Sequence, residues 1–163
     1  MNTYTSPFFG EINLDKVKED YDAEFQYDNR TLAIDINFEN KGGAIKDRLT
    51  EIDAFLKNLA KYETEISAFI NLDFKNEGVT KEYIKHHAEE LDAAELDALV
   101  DRGNKELSIE EQLLSKLYIH SVGFYPDNNF SAILDCRINH KVSDEILVVV
   151  IENDSSYDIT WER

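Results

Sequence analysis

The chain of 163 residues contains a single cysteine, Cys136, so no intrachain disulfide can form and the fold must rest on its own core. It has only two prolines and six glycines. That rules out a Pro- or Gly-rich linker, no internal repeat or low-complexity tract stands out, and one α+β domain over 1–163 is expected. No apolar run approaches the roughly 20 residues of a membrane span. The first ten residues carry neither a basic n-region nor an apolar h-region, so a cytoplasmic location is the expectation. Positive charge is scarce too: 17 Lys and Arg stand against 34 Asp and Glu, a formal net charge of -17. That balance argues against nucleic acid and anionic membranes as partners. It favours fast, salt-sensitive association with a basic protein, although charge of this kind also serves plain solubility.

Signatures of catalysis are missing as well. There is no His-Glu-x-x-His, no Cys-x-x-Cys and no Gly-x-Ser-x-Gly. Lys41-Gly42-Gly43 lacks the spacing of phosphate-binding loops and reads as a strand-to-helix turn. Cys136 sits between Leu134 and Ile138 on an apolar alternation in an acidic chain, where burial and charge both disfavour a thiolate; it reads as an inert core thiol. His86 shares a helix face with Glu89 and Glu90, which offers two metal ligands where a site needs about four. His87 is expected beneath the helix with one ring nitrogen satisfied, and His86 in solvent. His120 and His140 show no ligand spacing to anything nearby. No catalytic residue, metal or cofactor is assigned, and the chain leans away from enzymes; the alternatives are an enzyme with a site assembled from scattered residues and a small-ligand or structural accessory protein.

What the chain does have is apolar residues, 42% of the total, including one Trp, eight Tyr and nine Phe, enough for a sizeable core. Phe8, Phe9, Ile12 and Leu14 suggest a short first strand. Tyr21, Ala23, Phe25 and Tyr27 alternate with Asp22, Glu24 and Gln26, and Leu32, Ile34, Ile36 and Phe38 alternate after Asp28-Asn29, which predicts an antiparallel hairpin. From Ala44 to about Phe74, Ile45, Leu49, Ile52, Phe55, Leu56, Leu59, Tyr62, Ile66, Phe69 and Ile70 form a helical stripe. One straight helix from Ile45 to Ile70 would run roughly 39 Å, so a kink or break is expected. Asp53 with Lys57 and Lys61 with Glu65 read as i,i+4 pairs on its wet side.

Thr80 reads as an N-cap with Val79 and Ile84 as a staple, and Tyr83, Ile84, His87 and Leu91 as the next apolar stripe. Ser108-Ile109-Glu110-Glu111 is a capping box opening a short third helix. Strands follow at Leu117 to Tyr125, Phe130 to Ile138, Ile146 to Ile151 and Tyr157 to Glu162, with turns at Pro126 to Asn129 and Asn153 to Ser156. The continuous apolar run Ile146 to Ile151 suits a central strand covered on both sides. The expected architecture is α+β: a single antiparallel sheet built from the N-terminal hairpin and a C-terminal meander, with two or three helices on one face.

Five blocks carry a resemblance. Phe8-Phe9-Gly10-Glu11-Ile12-Asn13-Leu14-Asp15, Arg30 to Phe38, Tyr83 to Leu91, Val122-Gly123-Phe124-Tyr125-Pro126-Asp127 and Ile146 to Val150 resemble, in order, a bacterial domain-of-unknown-function family, number two thousand and four. The likeness implies an α+β domain of bacterial origin and brings no functional residues with it. A departure is Asp135-Cys136-Arg137, where similar proteins continue with an aromatic, a matter of packing rather than chemistry.

Residues 89–111 are the most acidic window, with nine acids against Arg102 and Lys105. Glu89, Glu90, Asp92, Glu95, Asp97 and Asp101 are the candidate contacts to a basic partner, as in an immunity-type inhibitor of a basic toxin, where charge complementarity speeds capture. The competing reading is a solvated helix face, which charge runs usually are.

Overall fold

The computed structural model describes residues 2–39, 44–127 and 130–163. The expected turns at Lys41-Gly42-Gly43 and at Asn128-Asn129 lie outside the described residues. Strands β1 (Thr3–Ser6) and β2 (Gly10–Asn13) form a small antiparallel sheet of their own. This corrects the single strand expected through Phe8 to Leu14. Phe8 and Phe9 occupy the turn, Gly10 takes a φ of 74° that glycine adopts without strain, and only Ile12 is both strand and core.

β3 (Asp20–Tyr27) and β4 (Arg30–Asn37) make the predicted hairpin. Asp28 and Asn29 both have positive φ, 45° and 62°, which matches the right-handed twist of the flanking strands.

The long stripe divides into α1 (Ile45–Lys57) and α2 (Leu59–Lys75), with the break at Asn58 (φ -104°, ψ 18°). There the Asn58 Nδ2 donates to the Ala54 carbonyl at 2.8 Å, an acceptor that it shares with the Asn58 backbone amide at 3.2 Å. The apolar face survives the break, because Phe55 stacks on Tyr62 at 4.1 Å across it and meets Phe124 of the sheet edge-on. Lys61 and Glu65 do form an exposed pair at 3.8 Å. The Asp53–Lys57 pair is a correction: Asp53 is 4% exposed and faces inward, accepting from Tyr4 Oη and Ser6 Oγ at 2.6 Å each. Ser6 Oγ in turn accepts from the Phe8 and Phe9 amides at 3.1 Å, so one buried carboxylate fastens the β1–β2 hairpin to α1.

α3 (Val79–Glu90) begins from Gly78, not Thr80. Its cap comes from the end of α2, where the Asp73 carboxylate accepts from the Thr80 amide at 2.7 Å, leaving Thr80 buried at the second helical position. A Cβ at Gly78 would lie 2.0 Å from that carboxylate, which explains the residue. α4 (Ala93–Leu99) and α5 (Ile109–Leu114) each open with a complete capping box, Asp92 with Glu95 and Ser108 with Glu111. Among the described residues the chain thus has five helices where two or three were expected.

β5 (Tyr118–Phe124), β6 (Phe130–Arg137), β7 (Ile146–Glu152) and β8 (Tyr157–Glu162) form the expected antiparallel meander. The larger sheet has six strands in the order β3-β4-β5-β6-β7-β8. Two sheets replace the single one expected, and the larger is mixed, because β4 and β5 run parallel. All five helices lie between these two strands and act as one crossover. A crossover that returns the chain to the end where β4 began necessarily produces a parallel neighbour. β7 is second from the edge, not central; Val148 is buried on its outer side while Ile146 and Val150 are half-buried.

The core lies between the helices and one face of this sheet. Leu32, Ile34, Ile36, Val122, Phe124, Leu134, Leu147 and Val149 meet Leu49, Leu56, Leu59, Ile66, Tyr83, Ile84 and Leu113. The aromatic contacts from the helices, Phe55 to Phe124, Phe69 to Tyr157 and Tyr83 to Trp161, all fall on that same face. Among the described residues no helix is long and apolar enough to cross a membrane.

Candidate functional site

Alternation along each strand decides which side chains stand on the opposite, open face. One rung across the sheet carries Asp22, Asp35, Gly123, Ile133, Val150 and Asp158; the next carries Glu24, Ala33, Ser121, Asp135, Val148 and Thr160. The middle of these rungs is floored by Ala33, Ser121 and Gly123, and the Tyr125 ring lies over Gly123. A Cβ at Gly123 would sit 3.1 Å from Tyr125 Cε2 and 3.3 Å from both Asp35 carboxylate oxygens, so the bare backbone lets ring and carboxylate approach the floor. A shallow depression of about 420 Å³ lies against β3 and β4 at Asp22, Glu24, Ala33 and Asp35.

The charge on this face works against the fold. Asp22 and Asp35 are directly opposite in the antiparallel β3–β4 pair, where like charges destabilise. Burial raises the Asp35 pKa above the usual carboxylate value, and Asp22 and Asp135 push the same way against an Asn37 amide donated to its Oδ2. Tyr125 is likewise raised, by burial first and then by Asp35, Asp135 and Glu162. Asp135 accepts from Ser121 Oγ at 2.9 Å. Arg137 stands at one end of the face, where after burial it is the next cause holding His120 below its ordinary pKa. Half-buried carboxylates over a small-residue floor can accept hydrogen bonds from guanidinium or ammonium groups. Among the described residues no group of three His, Cys, Asp or Glu side chains is placed to hold a metal ion.

The acids singled out in the sequence are arranged differently. Glu89, Glu90, Asp92, Asp97 and Asp101 are exposed and Glu95 is half-buried. Asp92 and Glu95 cap α4, Asp97 pairs with Arg102, Glu89 pairs with Lys85 at 3.8 Å, and Asp101 Oδ1 accepts from the Gly103 amide at 2.8 Å. The same residue's backbone is gripped by the buried Gln112, whose Oε1 accepts from the Asp101 amide and whose Nε2 donates to its carbonyl. The structure therefore brings these six residues to the surface but not to one point.

His86 and His87 both reach the loop that precedes β7. His87 Nδ1 donates to the Tyr83 carbonyl at 2.8 Å, which leaves Nε2 to accept from Ser143 Oγ at 2.9 Å. Both nitrogens are thus used, where one was expected, and burial holds its pKa below the ordinary value. His86 is half-buried rather than fully solvated: its Nε2 meets Glu145 Oε1 at 3.1 Å, and Glu145 Oε2 accepts from Trp161 Nε1 at 3.0 Å. Glu89 pairs with Lys85 instead. Cys136 is buried in the core with its thiol pushed up to about 12 by burial.

The sequence reading missed Asp35, Asp135 and Tyr125 as a group. The alternation on β3 exposes Asp22 and Glu24, but only the parallel β4–β5 pairing brings β5 and β6 alongside them.

Fold and site define an α+β domain with helices on one face of a mixed sheet and an acid-lined open face on the other. The chain belongs to the family described as uncharacterized protein conserved in bacteria (DUF2262), whose model matches residues 6–154. The bacterial unknown-function family expected from the sequence blocks is thereby corrected in its number, two thousand and four, but not in its kind. No curated protein and no solved structure matches the chain.

Proposed function

We propose that this protein is a non-catalytic binding module that docks a basic protein onto the open sheet face, in the manner of an immunity-type inhibitor of a basic toxin. The observation that carries the reading is the directly opposed pair Asp22 and Asp35, reinforced by Glu24 and Asp135 on the adjoining rung. An arrangement that costs the free protein stability gains a favourable partner when a cationic surface lands on it. The net charge of -17 adds long-range steering toward such a partner. The acids of residues 89–111 serve as the outer field in this reading, with Glu90 the one of the six candidates that has no capping or pairing role among the described residues.

The test is affinity capture from the native bacterium by three forms of the protein: unaltered, face-neutralised (Asp22→Asn, Glu24→Gln, Asp35→Asn), and window-neutralised (Glu89→Gln, Glu90→Gln, Asp97→Asn). A single basic protein retained by the first and third forms, lost from the second and released by salt is the expected result. Capture of no basic protein, or capture indifferent to the face substitutions, overturns it.

A further inference from the structure

The helix layer, on the side of the sheet away from the acidic face, is not closed between α2 and α5. A cleft of about 500 Å³ opens there, with Ile66, Ile70 and Phe74 on one wall, Leu114 on the other, and Ile119 and Cys136 at the floor. That volume lies within the roughly 300–1,000 Å³ typical of small-molecule sites, and the apolar interior suits a hydrocarbon.

The polar groups of its rim are nearly all in use. Glu63 accepts from Tyr27 Oη at 2.7 Å and from Arg30 at 2.8 Å, and Glu111 accepts from the Ser108 amide at 2.7 Å. Asn71 Nδ2 donates to the Ser67 carbonyl at 2.7 Å and Ser115 Oγ to the Gln112 carbonyl at 2.6 Å. Lys75 and the Ser67 hydroxyl are the exceptions: Lys75 is exposed, it is the one cation that lines the cleft among the described residues, and no carboxylate of those residues pairs with it. In a protein with twice as many acids as bases, an ammonium without a carboxylate partner among the described residues thus stands at the mouth of an apolar cleft. Leu107 lines the same cleft and is 44% exposed, one of two large apolar side chains left in solvent among the described residues.

We propose that this cleft binds a medium-chain fatty acid anion, with the acyl chain against Ile66, Ile70, Phe74 and Cys136, Leu107 folding over it, and the carboxylate on Lys75. The long-range field of the protein repels an anion, so the affinity comes from apolar burial and one local charge, and rising salt does not weaken it steeply. This separates the cleft from the basic-partner surface, whose binding salt abolishes.

The experiment is calorimetric titration of the whole protein with decanoate and with decan-1-ol below their aggregation limits. Decanoate is expected to saturate one site and to bind more tightly than the alcohol. Lys75→Gln should weaken decanoate by about tenfold, the value of one charge-assisted contact, and leave the alcohol unchanged. Ser67→Trp, at an exposed position lining the cleft, should abolish binding of both ligands without changing thermal unfolding, and Ser115→Trp should do the same from the opposite wall. No saturable binding of decanoate, equal affinity for acid and alcohol, or full affinity in both tryptophan variants overturns the proposal.

Discussion

In residues 89–111 the carboxylates of Asp92, Asp101 and Glu111 accept backbone amides of their own turns, and Asp97 holds Arg102. On the open sheet face Asp22 instead stands across from Asp35, with Asp135 close enough to raise the Asp35 pKa further. The first set is dense in sequence and dispersed in its duties: each of these four acids stabilises the helix end or loop that carries it. The second set is spread over more than a hundred residues and is brought together by strand register alone. Density of charge along a chain is therefore a poor guide to density in space, and acids that support the fold are to be separated from acids that strain it.

Substitutions sharpen that division. The extreme of the supporting class is Asp53, buried between two hydroxyl donors. Asp53→Ala should lower unfolding stability by about 3 kcal/mol in chemical denaturation, because Tyr4 and Ser6 lose a charged acceptor and the β1–β2 hairpin loses its hold on α1. A loss below about 1 kcal/mol would remove Asp53 from that class. Ser108→Ala should cost about 1 kcal/mol through loss of the α5 cap. It should leave binding of any basic partner unchanged; weakened binding would show that the window acids do more than cap.

The smallest effect is the most diagnostic, because its sign differs between the two regions. Hydrogen bonds from Ser108 hold Glu111 below its ordinary value of 4.5, so its stabilisation is present above that pH and is lost as pH falls through the depressed value. Asp35 is raised above 3.8, chiefly by burial; the folded state holds its proton longer, so stability declines as pH rises from about 3.8 through the elevated value, and the penalty is complete at neutral pH. Asp35→Asn should therefore stabilise the protein at pH 7 relative to pH 3, and Glu111→Gln should do the reverse, as read from thermal unfolding across that range. The same sign for both would erase the distinction.

How much of this was legible depended on how local the cause is. The β3–β4 hairpin is encoded in Asp28-Asn29 and its flanking alternation, the α5 cap in Ser108 and Glu111, and the break near Asn58 in the length of the stripe. The parallel β4–β5 pairing leaves no local mark, since its two strands are separated by the whole helical crossover. Asp53 looked like a surface residue because Lys57 sits four positions on, whereas its true partners lie 47 and 49 residues away. Gly78 hid the α3 N-terminus for the same reason: the capping carboxylate, Asp73, belongs to the previous helix. The open-face acids were invisible as a set until register placed them on shared rungs.

The most direct measurement is amide chemical-shift mapping of the whole protein titrated with an Arg- and Lys-rich polypeptide at low salt. The expected perturbations concentrate on Asp22 to Gln26, Ala33 to Asn37, Ser121 to Gly123 and Ile133 to Arg137, and collapse when salt is raised. Perturbations centred on residues 89–111, or spread evenly over every exposed acid, would contradict the proposal that the open sheet face is the docking surface.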